Sequence, residues 1–303
     1  VSMSGSSLAP RRTKVVALAG GVGGAKLADG LAQVLAPGEL TVIVNTGDDF
    51  THCGLQICPD VDTVIYTLAG VANPETGWGR TDESWRVLEE RRKLGEEAWF
   101  QIGDKDLALH LERTHRLAQG DSLSAVIDWQ RRAFGVEHQV LPMSNQSVRT
   151  QVLTAENGAL DFQEYFVHLH CAPRVTGFEF LGVEAALPTP GTVEAIRAAE
   201  LVVICPSNPW VSIAPILAVR GYREALRGKR VVAISPIIGG KALKGPAAKM
   251  YAELGVEPSA SAVAEGYAGL ITHFVIDGED ASDVETIKSR WGIMTIATNT
   301  IMR

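Results

Sequence analysis

Residues 14–26 read KVVALAGGVGGAK, and residues 42–50 read VIVNTGDDF. In the first stretch an apolar, β-branched run, Val15 to Ala19, ends in Gly20, Gly21, Gly23 and Gly24 and passes into helix-forming residues. A buried strand that runs into a glycine-rich turn and then a helix aims backbone amides at a spot where a phosphate can sit. The helix is expected over Gly24 to Leu35, because Leu27, Leu31, Val34 and Leu35 recur at helical spacing and Pro37-Gly38 closes it. Thr41 to Asn45 then forms a second strand, with Asp48 and Asp49 just past its end. Strand, helix, strand in this order makes a right-handed parallel unit, the start of a doubly wound sheet.

Taken alone, the glycines leave three readings open: a diphosphate cradle, a dinucleotide cofactor site with Asp48 on the ribose hydroxyls, or a tight structural turn. The run is not a Walker A loop, since Ala25 stands where a glycine should precede Lys26 and Leu27 replaces the Ser or Thr. It also lacks the third glycine of a full dinucleotide fingerprint. The acids sharpen the choice. Magnesium takes one or two protein carboxylates and completes its octahedron with phosphate oxygens and water. Asp48 or Asp49 together with Asp62 would supply those carboxylates from neighbouring strand ends. Asp60 and Asp62 can equally cap the helix expected over Val64 to Leu68.

The 303 residues, 46% hydrophobic and 21% charged, can bury a core and fit one large α/β domain with an insertion. A formal net charge of -7 argues against general nucleic-acid binding, which needs a basic face. Cys53, Cys58, Cys171 and Cys205 lack zinc or redox spacing and read as reduced, buried thiols of a cytoplasmic protein. No apolar run approaches the ~20 residues of a membrane span, and no signal segment opens the chain. Residues 1–13 read as a disordered tail and 14–303 as a single nucleotide-binding domain.

Between Trp78 and Phe134 the pattern turns helical, over Glu83 to Lys93, Leu107 to Leu117 and Leu123 to Phe134, without an intervening strand. This is expected to be a helical insertion at about 78–135. Within it, Trp99-Phe100 followed by Gly103-Asp104 is either a loop with a helix cap or a wall for a flat ligand. Val140 to Leu141, Val148 to Thr154 and Phe162 to His170 read as strands, with a hairpin turn at Asn157-Gly158. On that reading His168 and His170 share one face, as a sheet-face pair more than a metal site. Strands then alternate with helices again, at Leu201 to Cys205, Arg230 to Ile234, His273 to Ile276 and Ile293 to Ala297. The expected fold class is therefore α/β: a doubly wound, mostly parallel Rossmann-like sheet with a helical insertion and a β-hairpin excursion. The segments GGVGG, NTGDD, PSNP and SPIIGG each follow an expected strand, which gathers them along one sheet edge. Ser207-Asn208-Pro209 offers short donors and acceptors for a base or ribose, or an Asx-type turn.

Taken in order, GGVGGAKL, NTGDDF, ICPDVDTVIYTLAG, GWGRTDESW, WFQIGDKDLALHL, CPSNPWVSIAPIL and SPIIGGKALKGPAAKM make the chain resemble the 2-phospho-L-lactate transferase family of deazaflavin coenzyme (F-420) biosynthesis. The likeness runs from Lys14 to about Thr300. It implies a magnesium-dependent, homodimeric enzyme whose donor is a guanosine diphosphate-linked three-carbon acid such as lactyl-2-diphospho-5'-guanosine. The phospho-acid would pass to the ribityl hydroxyl of 7,8-didemethyl-8-hydroxy-5-deazariboflavin, releasing GMP. On that basis the amides of Gly20, Gly21, Gly23 and Gly24, with Lys26, Ser207, Asn208 and Pro209, are expected at the guanosine diphosphate moiety. Asp48 and Asp62 are expected on the metal, Asp49 at the attacking hydroxyl, and Trp78, Phe100 and Asp104 beside the tricyclic ring. Whether the acid is lactate, phosphoenolpyruvate or 3-phosphoglycerate stays open. Two other classes compete: a non-catalytic regulator that binds a nucleotide sugar through the same loops, and an NAD-dependent oxidoreductase, which lacks a convincing acid or base for hydride transfer.

Overall fold

The first βαβ unit of the computed structural model, which describes residues 13–302, matches the expected order. Strand β1 (Val15–Ala19) is buried along its whole length, helix α1 (Gly21–Val34) follows, and β2 (Leu40–Val44) pairs parallel to β1 with Ala19 opposite Val44. Apart from Thr13, the expected tail lies outside the described residues. A short hairpin of β3 (Phe50–His52) and β4 (Leu55–Ile57) turns at Cys53-Gly54, both in the left-handed region at φ 51° and 77°. Helix α2 (Pro59–Leu68) then begins with a proline at its first position, where no amide hydrogen is needed.

The helical insertion holds α3 (Arg86–Lys93), α4 (Asp104–Ala118) and α5 (Leu123–Ala133). Strand β5 (Gln139–Pro142) returns to the main sheet beside β2. Strands β6 (Arg149–Thr154), β7 (Gly158–Asp161) and β8 (Val175–Leu181) form a separate antiparallel sheet in the order β7-β6-β8. The expected strand from Phe162 to His170 is not one: Glu164–His168 is a π-helical turn, and His170 and Cys171 are left-handed at φ 49° and 57°. The turn buries Tyr165, leaves Phe166 exposed and half-buries His168, so His168 and His170 share no sheet face.

The second half alternates α6 (Thr192–Ala198), β9 (Leu201–Ile204), α7 (Ala214–Ala218), α8 (Tyr222–Leu226) and β10 (Val231–Ile234). A two-residue ladder, β11 (Ile237–Ile238) with β12 (Lys241–Ala242), precedes α9 (Ala247–Glu253) and α10 (Ala260–Gly266). Strand β13 (His273–Asp277), α11 (Asp283–Trp291) and β14 (Met294–Thr298) complete the chain.

The main sheet has seven parallel strands in the order β14-β13-β10-β9-β1-β2-β5. Two cores sandwich it. One joins alternate residues such as Val16, Leu18, Val202, Ile204, Phe274 and Ile276 to the helices of the second half; the other joins Ala17, Ala19, Val42 and Val44 to α1 and α2. Sequence order reverses between β1 and β9, and a doubly wound sheet binds ligands at the carboxyl ends of the strands flanking such a reversal. The turns after β1, β2 and β9 therefore meet at one place. Among the described residues, no helix is long and apolar enough to cross a membrane.

Candidate active site

At the reversal, the glycine turn and the loop after β9 are locked together. Gly20 N donates to Ser207 Oγ at 3.1 Å, and the same hydroxyl donates to Gly20 O at 2.7 Å. A Cβ on Gly20 would come within 2.6 Å of an Asp60 oxygen and 2.7 Å of Ser212 Cβ, and one on Gly23 would strike the carbonyl of Pro206. These glycines let two loops and the start of α2 approach closely. Part of the expected phosphate cradle is thus already engaged, since Gly21 N donates to Asp60 Oδ1 at 2.6 Å.

Three carboxylates lie behind this turn. Asn45, at the end of β2, donates through Nδ2 to Asp48 Oδ1 and to Asp60 Oδ2, each at 3.0 Å, and so clamps the two acids together. Its own Oδ1 accepts from Gly47 N at 2.8 Å, which bends the chain towards Asp48. Gln163, at the start of the π-helical turn, donates to Asp48 Oδ2 at 3.3 Å. Burial raises Asp48 well above the usual carboxylate range, and repulsion from Asp60 and Asp49 adds to it. Burial also raises Asp60, against hydrogen bonds from Asn45 and Gly21. No cationic side chain figures among the groups acting on either acid. Asp49 is half-buried; its Oδ1 is buried without a partner, and burial raises it too, partly countered by the Cys58 thiol.

The site differs from expectation at Asp62. Its oxygens accept from Arg113 Nη1 at 3.0 Å, from Arg113 Nη2 and from Gln130 Nε2 at 2.8 Å, a fully engaged buried ion pair between α2, α4 and α5. Residues 60 and 62 sit in the first turn of α2, where positions two apart point roughly 200° from each other. Asp60 faces the glycine turn and Asp62 faces the insertion. The acid paired with Asp48 is Asp60, not Asp62, and Asp62 is structural.

Asp104 is a second correction. Its carboxylate accepts from Ser84 Oγ at 2.6 Å and from the amides of Arg86 and Val87 at 3.2 and 3.1 Å, capping α3 from the next helix. Glu83 returns the service to α4, accepting from the amides of Lys105 and Asp106 at 2.9 and 3.0 Å. Asp104 is thus a cap instead of a ring contact.

Phe100 packs against the short strand that follows the acids. Its ring meets Phe50, the residue after Asp49, edge-on at 4.8 Å, and Trp99 stacks on His168 at 5.1 Å. Phe50, His52, Trp99, Phe100 and His168 form one aromatic cluster drawn from β3, the insertion and the excursion. Trp78 belongs elsewhere, 45% exposed on a loop over α1. Asn208 Oδ1 accepts from Trp210 N at 2.9 Å, the Asx-type turn, while its Nδ2 meets only Met250 Sδ at 3.3 Å. Pro209 is buried, and Lys26 Nζ donates to Met302 O at 3.1 Å. Cys58 and Cys205 are buried as expected, but Cys53 is exposed. Sequence reasoning passed over Asn45 and Gln163. Asn45 carried a signal, as the polar residue that ends an apolar strand immediately before the acids.

The comparisons with known proteins agree with this architecture. The family model for 2-phospho-L-lactate transferase CofD matches residues 15–295. A phosphoenolpyruvate transferase from Streptomyces griseus is 44% identical over 91% of this chain and 89% of its own. The 2-phospho-L-lactate transferase of Methanocaldococcus jannaschii is 38% identical over 95% and 93%. A solved structure of a UPF0052-family protein from Bacillus halodurans shares the fold, with a TM-score of 0.62, 18% identity and coverage of 96% and 94%. With the family match spanning nearly the whole chain and the relatives aligned end to end, this protein belongs to the 2-phospho-L-lactate transferase CofD family.

Proposed function

We propose that the chain transfers a phospho-acid from a guanosine diphosphate-linked donor to the ribityl hydroxyl of 7,8-didemethyl-8-hydroxy-5-deazariboflavin, with release of GMP, in coenzyme F-420 biosynthesis. The observation that carries this reading is the Asp48 and Asp60 pair: two buried acids, clamped by Asn45 and lacking a cationic partner, beside the glycine turn at the sheet's reversal point. Such a pair fits a divalent cation, because a cation offsets the burial that raises both acids and the repulsion that adds to it at Asp48. Asp48 and Asp60 would hold magnesium, which when bound neutralises charge on the donor's phosphates.

The rest of the work falls to the chain's own groups. The helix terminus at Val22 and Gly23 offers amides to the diphosphate. Asp49, raised by burial and with one oxygen unpartnered, is placed to take the proton of the attacking hydroxyl. The hydroxyl oxygen bonds to the phosphorus that carries the acid, the bond from that phosphorus to GMP breaks, and GMP leaves with the electron pair. The flat acceptor lies against Phe50, Trp99 and Phe100. For the acid we favour phosphoenolpyruvate, since relatives at 43–44% identity carry the name phosphoenolpyruvate transferase.

Chromatographic measurement of GMP, with magnesium, the deazaflavin and either the enolpyruvyl or the lactyl donor, tests the reading. Faster release from the enolpyruvyl donor is expected. No release from either donor, nor from the 3-phosphoglyceryl one, would overturn it.

A further inference from the structure

We propose that the uncovered face of strands β10, β13 and β14 is the surface on which a second copy of this chain docks, each copy laying its α1 on the other's bare strands. Parallel sheets are ordinarily covered on both faces. Here one face is covered by the core that joins Val231, Ala233, Phe274 and Ile276 to the helices of the second half. On the other face the core built on α1 and α2 takes in Val203 of β9 and reaches no further than Ile234 of β10. The register carries that face onwards: Val203 pairs with Val232, Val232 with His273 and His273 with Met294, while Ile234 pairs with Val275 and Val275 with Ile296. Side chains of paired residues point to the same face of a sheet. Val232, Val275, Met294 and Ile296 belong to none of the apolar clusters, and Met294 and Ile296 are 62% and 61% exposed.

Helix α1 bounds this shelf on one side. Gly23, Leu27, Gly30 and Val34 recur at steps of four, three and four residues, which puts them on one face of the helix. A Cβ on Gly23 would strike the carbonyl of Pro206, just past β9, so that face is turned towards the bare strands. Its last two members are open: Val34 is 78% exposed, and nothing lies within 4 Å of a Cβ position at Gly30. Residues 299–302 close the upper end. Thr300 N and Oγ1 each donate to Asp277 Oδ2 at 2.9 Å, and Met302 O accepts from Lys26 Nζ, so this segment crosses from β14 to α1 and carries the exposed Ile301 with it.

Shape, charge and area name the occupant. The helix is a ridge about 10 Å across, and the shelf beside it, three strands at the usual spacing, is a recess about 14 Å wide. A two-fold axis running along the strands makes ridge and recess a matched pair, because the ridge of each copy enters the recess of the other. His273 is the one titratable side chain on the floor below Asp277, whose Oδ2 already holds Thr300. A basic or acidic partner would find no complementary charge there. Two copies of a chain with a net charge of -7 repel each other over most of their surface, and an uncharged strip is where they can meet. Ridge and recess together present about 500 Å² in projection on each copy, and protruding side chains raise the accessible area towards the roughly 600–1,000 Å² per partner of a stable interface.

Sedimentation velocity of the full chain over a range of concentrations tests the proposal. The wild type should sediment as a dimer. Ile296→Glu alters the recess and Val34→Glu the ridge, and both side chains are exposed in the single chain, so both variants should keep the native circular dichroism spectrum. Each should lower dimer affinity by roughly a hundredfold or more, because a carboxylate would be buried in an apolar contact. Leu94→Glu, which changes an equally exposed leucine on the insertion, should remain dimeric. A dimer that survives in either natively folded variant overturns the proposal, as does one that Leu94→Glu dissociates as well, since added charge and not this face would then be the cause. A monomeric wild type also overturns it and would leave the shelf to a different protein.

Discussion

Asn45 makes the site possible at the scale of single residues. Two buried carboxylates repel each other, and a single amide donating to both is what keeps them adjacent. The pair is therefore a place where the fold gives up stability for chemistry. Asp60→Asn, which preserves an acceptor for Gly21 N, should leave the melting temperature equal or higher while turnover falls by roughly 10²-fold or more, as for loss of a charge-stabilising group. Parallel calorimetry and GMP assays would check this; wild-type turnover in the variant contradicts it. Ser207 is the opposite case, a residue expected at the ligand that turns out to rivet two loops. Its hydroxyl both gives and takes a hydrogen bond with Gly20, so Ser207→Ala should cost about 1–3 kcal/mol in urea unfolding by orphaning buried backbone groups. The acids' presence was legible in NTGDDF and CPDVD, but which member of the second pair faces the site was not. Helix phase separates Asp60 from Asp62, and the partner that claims Asp62 is Arg113, on a helix whose packing no local pattern reveals.

Among the elements, the insertion is held to the sheet domain by that ion pair. Arg113 is fully buried and Asp62 nearly so, and Gln130 bonds to both. Removing one partner of such a pair leaves a buried charge uncompensated, so Asp62→Asn should destabilise the chain by about 3–5 kcal/mol. Its loss of activity would follow loss of fold, whereas Asp60→Asn loses activity with the fold intact. His110 belongs to the same cluster: Arg113 donates to its Nδ1 at 3.3 Å, which requires a neutral ring, and burial pushes its pKa down to about 4. Below about pH 6.5 the unfolded chain takes up a proton that the folded chain refuses. Stability is thus present above that pH and lost as pH falls towards 4, by on the order of 3 kcal/mol. Urea melts at pH 7.5 and 4.5 should show the drop in the wild type and a smaller one in His110→Gln. Equal drops would assign the acid sensitivity elsewhere.

Element order in the α/β halves was readable because each parallel strand is a short apolar run closed by a turn signal. The excursion was not. Phe162 to His170 alternates like a strand, yet Gln163 and Tyr165 are drawn inward by Asp48 and by the packing around Met250, and the segment coils into a π-helical turn. Val175–Leu181, by contrast, is a strand whose β-branched and aromatic residues are interrupted by Gly177.

For the whole molecule, three separate additions converge on one crossing point. The sheet's reversal between β1 and β9 supplies the glycine turn, the insertion supplies Trp99 and Phe100, and the excursion supplies Gln163 and His168. Motif order located the loops along one edge but not the partition of the aromatics, which depends on how the insertion folds back. Trp78 sits with Trp85 over α1, and Phe100 sits with Phe50 beside the acids. The account stands or falls on Asp48 and Asp60 holding the cation. Electron paramagnetic resonance titration with Mn²⁺ in the presence of GDP measures this directly. A bound ion is expected in the wild type and in His110→Gln and lost in Asp60→Asn; retention of wild-type Mn²⁺ affinity by a folded Asp60→Asn protein would contradict it.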